Sequence, residues 1–164
     1  MSENDKYDYA KSILQSNFKI MYNHLIEAIQ VYLDSGHTNG DYQYIEAYLA
    51  ATIHSIMDYA ERYMENDDIV NACRYVNNIL KHNPNFVTHK KITGGMEFPI
   101  SFPICIEEIK VVWNYDEALS VHSPKQKPAF ENIFAGRPII ETLKPIAEMI
   151  FEGIETRCIE NAPI

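Results

Sequence analysis

The stretch 66–84, Asn66-Asp67-Asp68-Ile69-Val70-Asn71-Ala72-Cys73-Arg74-Tyr75-Val76-Asn77-Asn78-Ile79-Leu80-Lys81-His82-Asn83-Pro84, contains every signal a helix needs. Asn66 supplies an N-cap, Asp67 and Asp68 sit in the positive first turn, and Asn83-Pro84 stops the helix. Between these signals Ile69, Cys73, Val76 and Leu80 recur in steps of three and four, which makes one apolar stripe. At about 100° per residue, Arg74, Asn78, Lys81 and His82 fall within about 100° of one another on the opposite side.

Upstream the same period holds. Leu14, Phe18, Met21, Leu25, Ala28 and Tyr32 line one face of a helix predicted over 9–33, which Asp34-Ser35-Gly36 ends. Ile45, Leu49, Thr52, Ile56, Tyr59 and Tyr63 line a second helix, with Asn39 or Asp41 available to cap it. Two long helices joined by a short Gly-bearing loop lie antiparallel. Downstream of Pro84 the period changes. Phe98, Ile100, Phe102, Ile104 and Ile106 alternate with other residues, as in an extended segment with one buried face, and Pro99 and Pro103 restrict it to an edge. Residues 108–113 and 86–92, the latter ending at Gly94-Gly95, are two further strand candidates. After an exposed connection over 122–128, Phe130, Ile133 and Phe134 predict a short helix ending near Gly136. A last helix, with the stripe Ile139, Leu143, Ile146, Ile150 and Ile154, starts at Pro138, and Pro145 is expected to kink it or mark a new start. The expected fold is mainly α: one domain over 1–164, a four- to five-helix bundle with a small antiparallel β-element inserted after the third helix, at about 86–113.

With 164 residues, 46% hydrophobic and 23% charged, the chain has the composition of an ordinary globular domain and excludes fibrous and wholly disordered classes. A formal net charge of −9 argues against a surface dominated by phosphate-neutralising groups. No apolar run is long enough for a membrane helix and the polar start is unlike a signal peptide, so a cytoplasmic protein with no membrane partner is expected. Cys73, Cys105 and Cys158, an odd number at wide spacing, suit buried thiols in a reducing compartment. Phosphate-binding glycine loops, paired-cysteine zinc spacings and nucleophile elbows are missing, and no metal or cofactor is implied. His24 and His54, inside the first two helices, are expected to be partly buried structural histidines.

The polar face of the third helix could serve RNA cleavage. Imidazole would move protons at the ribose 2′-hydroxyl and the leaving oxygen, and guanidinium or ammonium would stabilise charge on phosphorus. The alternative is a solvated face with cations near the negative helix end. The stretch 74–83, Arg74-Tyr75-Val76-Asn77-Asn78-Ile79-Leu80-Lys81-His82-Asn83, resembles the C-terminal part of the signature helix of the HEPN superfamily, small helical bundles frequent in toxin–antitoxin, abortive-infection and RNA-processing systems. The resemblance implies an RNA-directed prokaryotic defence or toxin–antitoxin type protein, commonly dimeric, whose active members cut RNA without metal through an Arg, a following polar residue and a His. Asn78 and His82 match the polar residue and the His; the position of the Arg falls on Asn77, and the nearest Arg, Arg74, lies eight residues before His82. That departure implies a degenerate, non-catalytic member binding RNA or a partner protein through Asn77, Asn78 and Lys81. The active alternative is a metal-independent endoribonuclease using His82 with Arg74 or Lys81. The tyrosine-rich second helix, with Tyr42, Tyr44, Tyr48, Tyr59 and Tyr63, suits a protein interface or a wet bundle edge, and a homodimer is expected.

Overall fold

The computed structural model describes residues 2–35, 39–82, 87–96, 104–114 and 123–160, with the side chains of 39–41, 82, 87–96, 104–108 and 152–160 excepted. In chain order the elements are α1 (Glu3–Asp34), α2 (Asn39–Tyr63), α3 (Asp67–His82), β1 (Val87–Met96), β2 (Ile104–Trp113), α4 (Gln126–Ile133) and α5 (Ile139–Glu160). The protein is a helical bundle with a two-stranded antiparallel ribbon inserted after α3. Among the described residues no helix is long and apolar enough to cross a membrane.

The first helix begins six residues before the expected start at Tyr9, because the polar leader caps it. Ser2 Oγ accepts from the Asp5 N–H at 3.2 Å and Asp5 Oδ2 accepts from the Ser2 N–H at 2.8 Å, a capping box that satisfies two orphan donors. The second helix begins at Asn39, so Asp41 lies within its first turn and does not cap it. Ring contacts between Tyr7 and Tyr63 at one end and Tyr32 and Tyr42 at the other show α1 and α2 antiparallel. Phe18, Leu25, Ile45, Leu49, Ile53 and Ile56 fill the space between them, each fully buried. The fifth helix closes over this pair: Gln15, buried on α1, donates from Nε2 to the Ile150 carbonyl at 2.8 Å, and Phe18 packs against Phe151.

The ribbon pairs Val87 with Trp113 at its base and Met96 with Ile104 at its far end. Two of the strand candidates correct to one: Ile104, Ile106 and the run 108–113 form a single strand, since Glu107-Glu108 continue the extended backbone unbroken. The first strand runs through Gly94-Gly95 to Met96, where cross-strand partners hold the glycines in the ladder. The expected edge positions Phe98 to Pro103 lie outside the described residues. At its base the ribbon docks on the α4–α5 turn. Trp113 donates its N–H to the Arg137 carbonyl and accepts from the Gly136 N–H, and Val112 bridges to Pro138. Gly136, at φ +68°, takes the left-handed conformation this turn requires. Pro145 does not divide the last helix, which is continuous from Ile139. Ile139, Leu143, Ile146 and Ile150 are buried as expected, and the side chain of Ile154 lies outside the described set.

Candidate functional site on the third helix

The cap of α3 forms as its residues dictate: Asn66 Oδ1 accepts from the Ile69 N–H at 3.1 Å. The helix lies against α2 on one side and α4 on the other, so it buries much more than one stripe. Val70, Ala72, Tyr75 and Ile79 join Ile69, Cys73 and Val76 inside, while Leu80 is half-buried. What remains is an arc of about 100° bearing exposed Arg74 and Lys81 and half-buried Asn71 and Asn78, with Asn77, also half-buried, at its margin. Cys73 is fully buried, and burial pushes its thiol up to about 12, so it is no nucleophile.

The polar residues of the arc turn to different neighbours. Arg74 reaches to α2, where Nη2 and Nε donate to Glu61 Oε1 at 2.6 and 3.1 Å. Asn78 reaches to α4 and donates from Nδ2 to Gln126 Oε1 at 3.3 Å. Lys81 is exposed on the last turn, and His82 is the final residue of α3, its side chain outside the described set. Eight residues of helix separate Arg74 from His82, about 12 Å along the axis.

Around Arg74 a polar cleft of about 540 Å³ opens between the end of α2, the first turns of α3 and Lys125. Its charged lining is balanced: Arg74 and Lys125 face Glu61 and Asp67, with Asn71 between. Glu61, on the end of α2, and Lys125 and Gln126, more than forty residues beyond α3, have no place in any local motif, because they meet α3 through packing. The expectation for the other histidines is corrected: His24, stacked on Tyr48 and 3.5 Å from Glu27, and His54, 3.7 Å from Asp58, are both exposed. They sit on outward helix faces where i,i+3 and i,i+4 carboxylates are their partners. Among the described residues no three His, Cys, Asp or Glu side chains gather as a metal-binding group. No protein-family model, no curated protein and no solved structure matches the chain.

Proposed function

We propose that the chain is a degenerate, non-catalytic HEPN-like protein of a prokaryotic defence or toxin–antitoxin type system, which acts by binding a partner protein through the outward arc of α3. The observation that carries this reading is the engagement of Arg74 by Glu61. The Glu61 carboxylate takes two of the five guanidinium N–H donors and offsets the positive charge, so a phosphate would meet a cation already partnered along its Nε–Nη2 edge. The balanced cleft and the net charge of −9 add to this, since RNA affinity grows with unpaired cations. A protein surface offers the neutral and mixed-charge groups that Asn71, Asn77, Asn78 and Lys81 can meet.

The test incubates purified native protein with mixed RNA in EDTA and looks for ends carrying cyclic phosphate, beside His82→Ala and Arg74→Lys. No cleavage by any of the three is expected, and no retention of RNA on a filter at physiological salt. Metal-independent cleavage that disappears in His82→Ala would replace this reading with the endoribonuclease. Salt-dependent RNA retention that Lys81→Ala weakens would replace it with an RNA-binding protein.

A further inference from the structure

Along one face of α5 the bundle leaves a gap. The helix packs chiefly on α1 and β2, and where it passes the start of α3 and the end of α4 a groove of about 530 Å³ remains. Pro138, Thr142, Pro145, Ile146 and Met149 form its α5 wall, a stretch of about 16 Å along the helix. Ile69 of α3 and Ile133 of α4 line the other side. Ile69 and Ile146 are buried, so the floor is continuous with the core, while Met149 at one end is 42% exposed. The Thr142 hydroxyl is engaged inside the fold, donating to the Ile139 carbonyl and accepting from Trp113 Nε1. Apart from the neutral amides of Asn66 and Asn132, the length of the groove is therefore apolar.

Charge enters at the end away from Met149. Arg137 and Glu141 are the two ionised residues of the lining, both beside the first turn of α5. Glu141 is paired with Lys110, which offsets its charge. Arg137 is exposed, donates from Nη1 to the Ile133 carbonyl at 3.3 Å, and meets no carboxylate among the described residues. The unbalanced charge of the groove is thus one guanidinium at the head of an apolar channel.

We propose that this groove binds a free aliphatic carboxylate, with its head on Arg137 and its tail laid along α5 toward Met149. Spread over about 16 Å, the volume gives a mean section of about 30 Å², room for one extended hydrocarbon chain and too narrow for a helix about 10–12 Å across. A chain of about 12 carbons spans that length. The planar guanidinium fork suits a carboxylate, and each methylene laid on Ile69, Ile146 and Met149 leaves water. The lining includes none of Asn71, Arg74, Asn77, Asn78 and Lys81, so this site and the α3 reading can fail separately.

The test is calorimetric titration of the native protein at neutral pH with octanoate, decanoate, dodecanoate and tetradecanoate, each below its micellar concentration. Affinity is expected to rise about threefold per methylene and to level off beyond about 12 carbons, where the tail outgrows the groove. Dodecyltrimethylammonium, with the same tail and the opposite head charge, should bind at least about tenfold more weakly than dodecanoate. Arg137→Gln should weaken dodecanoate about fivefold and leave dodecanol unchanged. Met149→Asp should weaken dodecanoate at least about tenfold, and octanoate, which stops short of Met149, by less than about twofold. Both positions are exposed, so circular dichroism should stay the same. Overturning results are a native protein that takes up no dodecanoate, equal affinity for the two head groups, or dodecanoate binding that both variants leave intact. Native protein that ignores dodecanoate and sediments with phosphatidylglycerol vesicles would assign the groove to a bilayer lipid instead.

Discussion

On α2, Glu46 buries Oε1 with no hydrogen-bond partner among the described residues, and burial raises its carboxyl above the ordinary value. Tyr42 beside it is pushed further up, by its own burial first and then by the Glu46 charge. A carboxyl whose folded-state pKa exceeds its unfolded one is penalised when ionised. Its contribution to stability is complete below the unfolded value near 4.5 and is lost as pH rises through the folded value. Glu46→Gln should therefore raise the melting temperature at pH 7 by at most a few degrees, a small effect because water screens a side chain that is only partly buried. The gain should vanish near pH 4. Thermal melts at the two pH values check it, and a Gln variant less stable at pH 7 would show that the carboxylate has a partner. At this scale the sequence made Cys73 and the α3 cap legible, because both follow from local spacing. It could not show that Arg74 faces Glu61, thirteen residues back on another helix, since that pair exists only once α2 and α3 pack.

Among the elements, the end of β2 is where ribbon and helices are made one structure. Trp113 is fully buried, stacks obliquely on Phe134 at 4.7 Å, meets Phe130 edge-on, and donates from Nε1 to Thr142 Oγ1 at 2.8 Å. Tyr75 of α3 stacks on the same Phe130, so one aromatic cluster links β2, α3, α4 and the start of α5. Trp113→Ala would empty this junction and should cost about 3–5 kcal/mol, whereas Trp113→Phe keeps most of the ring volume and should cost less. Denaturant titration separates the two, and an Ala variant within about 1 kcal/mol of native would show that the cluster does not hold the fold. Helix faces and strand alternation were readable because both depend on residues a few places apart. The docking of Trp113 on the turn at 134–138 was not, because a strand's alternation says which face is apolar and nothing about what will cover it.

The helices form one continuous core, and among the described side chains the ribbon enters it near its base, where Val111 and Trp113 are buried members and Ile109 is half-buried. The bundle carries the fold: α1 and α2 as an antiparallel pair, α5 tied to α1 through Gln15, and α3 held between α2 and α4. Beyond the pair Lys91 and Ile109, each strand of the ribbon has the other as its sheet partner, and among the described residues no third strand joins them. A two-stranded ribbon has little stability of its own, so the bundle must hold the ribbon in place, and the far end should add little in return. Replacing 92–108 by an Asn-Gly turn reconnects Lys91 to Ile109 across the ladder and leaves Val111, Val112, Trp113 and the Pro138 bridge intact. The shortened protein should unfold in one cooperative transition, with helical circular dichroism preserved and stability within about 1 kcal/mol of native. If it instead melts broadly or loses helix, the far half of the ribbon packs on the bundle and is part of its core.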